Sequence, residues 1–386
     1  MLSLMRCTIT GIVLMLGAGL APSATAQLPV DSLRLAVGFG VDTTASPERE
    51  ILALWQHYLT TPSDSLRAML WSTQERLGGP HFDLVGPYVY QGFTHFTVVQ
   101  VGPAVGLPET FVIRTLVTAV DDSTHDVRPL ALYRVYATLE NGRWVLANAL
   151  PRTTRAWQRE TFGSVTFVFP PGHRFARQRA SATAAFVDSL ARAFGLPKPA
   201  PISYYFTDDL GETLRALGLE FFPYGSDPVG GRSNVFARHA YAGLADAEGY
   251  RHELAHIVLA PEVSGRTSGL VAEGLMTWTG GSAGLDYAEL LPGLARYLSD
   301  HPELTLQTLL ENPPPRVGTL DVGYDGLAVL CKLVFDRSGL SGLRALLSAG
   351  RDPSTIVTTA AQTLGIPPAE LDSLWRRQSG VPYAER

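Results

Sequence analysis

His252-Glu253-Leu254-Ala255-His256, followed across a loop by Leu270-Val271-Ala272-Glu273-Gly274-Leu275-Met276-Thr277-Trp278, is the stretch on which the reading of this chain turns. On an α-helix, residues four apart share one side a turn apart, so both imidazoles of the pentapeptide reach a single ion at ~2.0–2.1 Å. Leu254, Ile257 and Val258 give that helix a packing face, and Pro261 marks its end. Glu253 falls on the open side of such an ion, where a carboxylate takes a proton from bound water. In the second segment Glu273 is a lone charge amid Leu270, Val271, Leu275 and Met276. Burying an unpaired carboxylate is expensive, and an ion on the neighbouring helix is a partner for it. Sixteen residues separate His256 from Glu273, enough for a turn and an antiparallel return. Two histidines and one glutamate leave the fourth position to water, as catalytic zinc requires. The plainer alternative is two satisfied histidines on a buried helix, with Glu273 on the exposed face of an amphipathic one.

A second ligand set competes with the first. The metzincin pattern needs a glycine three residues beyond the second histidine and a ligand six beyond it, and those positions hold Leu259 and Glu262. Without the glycine the helix has no ready way to turn Glu262 toward the ion.

Outward from this centre, 151–159 reads as a polar, turn-rich join and the stretch after it as an α+β unit. Strands are expected at 164–169, 202–206 and 230–238, and helices at 181–194 and 209–217. Residues 231–237 are a candidate edge strand for aligning a peptide. Asn234 is a candidate substrate contact within it, and His239, two residues past the strand, reads as solvent-facing rather than substrate-facing. From Leu244 onward the pattern is helical. Asp208-Asp209 reads as a helix cap and Pro313-Pro314-Pro315 as a stiff surface connector.

Region 28–150 opens with helical signals, in which Ser46 offers a cap, Pro47 the first helical position and Glu48 and Glu50 first-turn acids. Ile51, Leu52, Leu54, Trp55 and Leu59 supply an apolar face, and a second helix is expected at 64–71. The period then falls to two over 93–100, 110–120 and 130–139, and Asn141-Gly142 is a type I′ hairpin signal leading to 144–149. Asp121-Asp122 reads as a turn. His57, His81, His95 and His125 form no constellation in sequence.

The HELAH motif followed by an AEG-containing helix resembles the gluzincins, the thermolysin and aminopeptidase N clan, and in particular its bacterial peptidase MA-like members. Asp321-Val322-Gly323-Tyr324-Asp325-Gly326-Leu327 is similar to that group's Tyr-x-x-Gly-type helix start, and the segments 339–346 and 371–376 to its C-terminal helices. The resemblance covers 160–380 and is strongest over 250–280. It implies a Zn2+ cofactor held by His252, His256 and Glu273, Glu253 as general base, Tyr324 as hydrogen-bond donor to the tetrahedral intermediate, and a peptide or protein as substrate. The interval before Glu273 is shorter than in the aminopeptidase branch. Thr277 also stands where thermolysin has an aspartate that orients a ligand histidine, which puts the outer shell of the site in question. Helices followed by a curved antiparallel sheet resemble, in architecture alone, the cone-shaped nuclear-transport-factor-like fold.

The expected fold is therefore α+β. A signal peptide at 1–26 precedes an accessory domain at 27–150. A metallopeptidase domain at 151–386 carries a small mixed sheet and a mainly helical C-terminal half. Arg6, the apolar run from Ile9 to Leu20 and the small residues Ala24 and Ala26 write the signal, so the chain is expected to be exported, periplasmic or secreted, with Gln27 first and no membrane span afterwards. Cys7 leaves with the signal, and Cys331, in an apolar helical run, reads as packing rather than a nucleophile. A composition of 46% hydrophobic and 17% charged residues is that of a folded chain. A net charge of −5 with no basic stripe excludes nucleic acid as the main partner. The alternative function is a metal-stabilised binding protein, weak or inactive in catalysis, that acts through its N-terminal domain.

Overall fold

The computed structural model describes residues 35–77, 94–120, 124–221 and 229–381. The signal expected at 1–26, with Cys7, lies outside the described residues, as do His81 and the Asp121-Asp122 turn. The fold is α+β.

The chain opens with strand β1 (Leu35–Val37) and helices α1 (Glu48–Thr60), α2 (Asp64–Ala68) and α3 (Thr73–Leu77), then β2 (Thr94–Pro103), β3 (Thr110–Val120), β4 (Val127–Glu140) and β5 (Arg143–Ala147). The strands form one sheet in the order β1-β2-β3-β4-β5, antiparallel except for the β1/β2 pair. Asn141 and Gly142 both take positive φ, 52° and 75°, as a type I′ hairpin demands. Helix α1 buries Ile51, Leu52, Trp55, Tyr58 and Leu59, and the Trp55 indole donates to Thr115 Oγ1 at 2.9 Å on β3. Pro47, not Ser46, caps this helix: the Ser46 hydroxyl reaches Glu50 instead of a backbone amide.

Helix α4 (Leu150–Thr153) leads into β6 (Gln158–Phe162), β7 (Val165–Phe169), helix α5 (Arg177–Ala193), β8 (Ile202–Thr207), helix α6 (Leu210–Ala216), β9 (Leu219–Phe221), β10 (Gly230–Asn234) and β11 (His239–Gly243). The second sheet runs β10-β11-β8-β7-β6 and is mixed, with β7, β8 and β11 parallel and the two flanking pairs antiparallel. Two strands escape a periodicity reading. The polar β6 begins at Gln158, inside the end of the expected join, and β11 begins at His239 itself, so that histidine is half-buried in a sheet rather than facing solvent. Strand β9 leaves this unit and pairs with β4 of the first sheet, placing Leu219, with Leu214 of α6, in the first core. Within β9, Glu220 bridges Arg114 at 2.7 Å and Arg134 at 3.1 Å.

A 3-10 turn (Ala247–Gly249) then feeds helix α7 (His252–Val258), followed by α8 (Gly269–Gly280), α9 (Tyr287–Asp300), α10 (Leu306–Glu311), α11 (Val322–Leu347), α12 (Pro353–Leu364) and α13 (Pro368–Gln378). Gly339, at φ 63°, breaks α11. No helix among the described residues is long and apolar enough to cross a membrane. Cys331 is buried in α11, and burial pushes its thiol up to about 12, which suits packing and not attack.

Helices α8 and α11 are central, and they approach closely because Gly274 has no side chain: a Cβ there would lie 2.5 Å from Leu327 Cβ and 2.6 Å from its carbonyl carbon. Alanine ordinarily favours a helix over glycine by about 1 kcal/mol. Here Gly274→Ala is expected to destabilise the fold by about 1–3 kcal/mol through overpacking. A thermal melt checks this, and a raised Tm would contradict the α8–α11 contact.

Candidate metal centre

All seven residues of α7 are buried. Its first residue, His252, and its fifth, His256, stand one turn apart with their Nε2 atoms 3.3 Å from each other. Helix α8 returns across them and places Glu273 Oε2 at 3.1 Å from His252 Nε2 and 3.4 Å from His256 Nε2. These three separations are edges of a tetrahedron whose centre lies ~2.0 Å from each corner, the bond length of zinc to nitrogen or carboxylate oxygen. The three residues form the one group of histidine, cysteine and carboxylate side chains able to share an ion among the described residues. The donor set and its spacing fit a divalent ion of the zinc type.

Electrostatics bind the cluster tightly. Burial works against a charged His252, yet its hydrogen bond to Glu273 and the Glu253 and Glu273 charges carry it up to about 9. Burial works to raise Glu273 as well, and His256 and His252 hold it well below the usual carboxylate range. The His252 ring is aimed by its other nitrogen, Nδ1, which lies 2.7 Å from the Gly281 carbonyl oxygen. That carbonyl does the orienting that thermolysin assigns to an aspartate. Thr277, in the aspartate's place, is fully buried, and its hydroxyl has no hydrogen-bond partner among the described residues. Only glycine serves at 280 and 281: a Cβ on Gly280 would press to 2.8 Å from His252 Cα, and Gly281 holds φ 79° against the Leu285 carbonyl.

Glu253, also buried, looks toward strand β10, where a Cβ on Gly231 would stand 2.6 Å from Glu253 Cγ and 2.8 Å from its Oε1. Burial pushes the Glu253 carboxyl up, with His252 and His256 opposing. Tyr324 sits in the first turn of α11, where its amide donates to the capping Asp321 Oδ1 at 3.0 Å. Its hydroxyl is pushed far up by burial and then by the Glu273, Asp321 and Glu253 charges, so it faces the same acidic space. A second tyrosine shares that space. Tyr250 stacks on His252 with ring centroids 6.1 Å apart, and after burial its hydroxyl is governed by Glu253 and Glu273.

The remaining candidates fall elsewhere. Glu262 is committed to Arg344, at 2.7 and 2.8 Å, so the metzincin-type ligand set does not form. Asn234 ends β10 and accepts from the Ala237 amide at 2.9 Å, holding the turn. His239 packs against Tyr205 and Tyr241, and burial lowers it to about 4. His57 and His125 are exposed, and neither they nor His95 joins the cluster. Asp209 caps α6 through the Glu212 amide, while Asp208 turns to His173.

Sequence reasoning missed the support beneath α7. Glu248, almost wholly buried, accepts from the Ala176 amide at 2.7 Å and lies 2.9 Å from His173 Nε2, whose Nδ1 meets Asp208 at 2.8 Å. The buried Tyr204 hydroxyl donates to the Ala247 carbonyl at 2.6 Å. Together they pin the turn that launches the metal helix. Gly280-Gly281 was the one local signal, since paired glycines after a helix mark a close backbone approach.

No protein-family model matches the chain, and no curated protein matches it in sequence. Among solved structures it is similar to the M1 zinc metallopeptidase of Deinococcus radiodurans, at 13% identity over 75% of this chain and 64% of that one, with a TM-score of 0.30. A variant of the same enzyme bound to a Tyr-Ser-Ala substrate overlays at 11% identity, 75% and 64% coverage and a TM-score of 0.31. The chain thus spans about 64% of that enzyme's length. Overlap at this level carries no argument of its own, and the reading below stands on the geometry.

One buried acid beside the centre is unspent. Asp325 is 2% exposed, neither carboxylate oxygen meets a hydrogen-bond donor among the described residues, and burial followed by the Asp321 charge pushes it up to about 8. Between its ordinary value of 3.8 and about 8 the folded chain keeps a proton that the unfolded chain releases, so stability falls as pH rises through that window. Asp325→Asn removes this slope. The variant is expected to match wild type near pH 4 and to gain on it by about 1 kcal/mol per pH unit between pH 5 and 7. Denaturant melts at three pH values check this, and parallel profiles would refute it.

Proposed function

We propose that this chain is an exported zinc-dependent peptidase that hydrolyses peptide bonds with Glu253 as general base. The observation that carries the reading is the buried His252–His256–Glu273 cluster, with atoms 3.1–3.4 Å apart, set beside a carboxylate that itself touches a strand edge. In finer terms, residues 151–386 are the gluzincin-type catalytic domain and 27–150 a nuclear-transport-factor-like accessory domain. The segment 1–26 directs the chain to the periplasm or the exterior.

When bound by His252, His256 and Glu273, zinc supplies a Lewis acid that acidifies water and polarises a carbonyl. The chain's own residues do the rest. The Gly281 carbonyl accepts from His252 Nδ1–H, which orients the ring and leaves Nε2 as the nitrogen that would bind the ion. Glu253 takes the proton of the attacking water and hands it to the leaving amine. Its burial, which raises its basicity, supports that role. Tyr324 keeps its proton at any working pH and donates a hydrogen bond to the carbonyl oxygen as charge gathers there. The open edge of β10, beyond Gly231, offers backbone groups to align an extended peptide.

Glu253→Gln is expected to keep stoichiometric zinc while kcat falls at least ~10³-fold, the upper range of a positioned general base or acid. Full activity with metal retained would overturn the assignment. Tyr324→Phe is expected to lower kcat ~10²–10³-fold with little change in KM, as loss of one oxyanion donor does. Steady-state kinetics on a peptide library, with metal analysis of each variant, decide both. A zinc-loaded wild type that cleaves nothing would leave the binding-protein function in place of this one.

A further inference from the structure

A cavity of about 720 Å³ lies on the opposite side of the second sheet from α7. One wall comes from the first sheet, with Arg134 and Thr138 of β4, and the other from the β10–β11 hairpin, with Asn234, Ala237, His239 and Tyr241. Its volume is within the ~300–1,000 Å³ that encloses a drug-sized ligand. The mechanism proposed above leaves it unused.

Strand β10 connects this cavity to the metal centre. Among the described residues it is the outer strand of its sheet and pairs only with β11. Gly231 abuts Glu253, and Asn234, three residues on, lines the cavity. At a strand rise of ~3.3 Å per residue the two points are ~10 Å apart. The two faces of the hairpin also differ. Gly231 and Ser233 pair with Ala242 and Ala240, which enter the core beneath α7, whereas Arg232 and Asn234 pair with Tyr241 and His239 on the cavity side. A peptide added at the open edge of β10 points its side chains alternately to these two faces. One set meets the metal side. The other meets the cavity.

We propose that this cavity is a substrate subsite: a peptide laid along β10 sends into it the chain and side chains three or more residues beyond the cleaved bond. The proposal rests on the peptidase reading and names its substrate class, peptides long enough to reach past Asn234 and bulky at that end. The walls suit such an occupant. On the hairpin wall Tyr241 stacks with Tyr205 and neutral His239 stands beside it, which offers aromatic surface and hydrogen bonds; on the opposite side Arg134 and Arg152 are engaged by Glu220 and Glu75, and Glu140 and Arg155 add charge at the lining.

The test uses the zinc-loaded full chain and fluorogenic peptides extended one residue at a time, first on one side of the cleaved bond and then on the other. Wild type is expected to show a rise in kcat/KM of about tenfold or more when the third residue is added on one side only, the scale of one filled pocket. Ala237→Trp fills the cavity from the hairpin turn and Thr138→Trp from the opposite wall. In each, the ratio of long-peptide to short-peptide kcat/KM is expected to fall to about one. Two variants on separate elements guard against misfolding of either, since the ratio is read only from active enzyme. Cleavage that is indifferent to length, or a length ratio unchanged in both variants, overturns the inference and leaves the peptidase reading standing. If no peptide is cleaved, the peptidase reading falls and this one with it.

Discussion

A carboxylate wedged between two imidazoles inside an apolar core is the constraint the rest of this structure serves. Glu273 rides on α8, a helix whose neighbours Val271, Ala272, Leu275 and Met276 are all buried. Transfer of an isolated carboxylate into such a setting is so unfavourable that the group would protonate instead. It stays ionised because His252 and His256 meet it within 3.4 Å. The histidines depend on it in return, since burial alone would strip the charge from His252. Neither helix can be moved without leaving charge unpaired in the core, so the packing of α7 on α8 is fixed by electrostatics as much as by shape.

That mutual dependence explains why the framework around the cluster is built from small residues and buried anchors. Gly274 lets α11, which carries Tyr324 in its first turn, close on α8. Gly280 and Gly281 let the backbone fold back onto His252 and present a carbonyl to its Nδ1. Beneath α7, Glu248 and Tyr204 hold the preceding turn from two directions, one through His173 and the Ala176 amide, the other through the Ala247 carbonyl. A site that must hold three donor atoms to a fraction of an ångström needs such backing, because a loose outer shell loosens the inner one.

The parts of this arrangement that local periodicity encodes were legible in the sequence. The four-residue spacing of His252 and His256 and the isolation of Glu273 among apolar neighbours were enough to expect their convergence, and Asn141-Gly142 was enough for its hairpin. The parts set by distant pairing were not. Thr277 directed attention to a missing aspartate, while the group that orients His252 is a main-chain carbonyl, which no side-chain identity announces. Glu248 and His173 are 75 residues apart. Strand β6 carries Gln158, Arg159 and Glu160, polar residues that periodicity assigns to a loop, and becomes a strand because β7 offers it an edge. Nothing local marks His239 as a strand residue, and a lone polar ring reads as solvent-facing. Pairing of β11 with β8 buries it. Tyr250 was one aromatic among many until its ring lay on His252.

The most distant of these pairings bears on substrate choice. Strand β9 departs from the second unit to pair with β4 of the first sheet, and its central residue Glu220 takes both Arg114 and Arg134. Half-buried ionic contacts of this kind add little stability but tie the strands they join to one position. Their effect here is to hold the outer face of β4 at a set distance from the β10–β11 hairpin, whose other end touches Glu253. A wall fixed to the scaffold in this way does not need to be assembled by each substrate, so a peptide that reaches it gives up less freedom on binding than one that must order a loop. In the proposed function, the same rise of ~3.3 Å per residue that carries Gly231 past Glu253 carries Asn234 to the cavity, so chemistry and selection of substrate would fall to two ends of one five-residue strand.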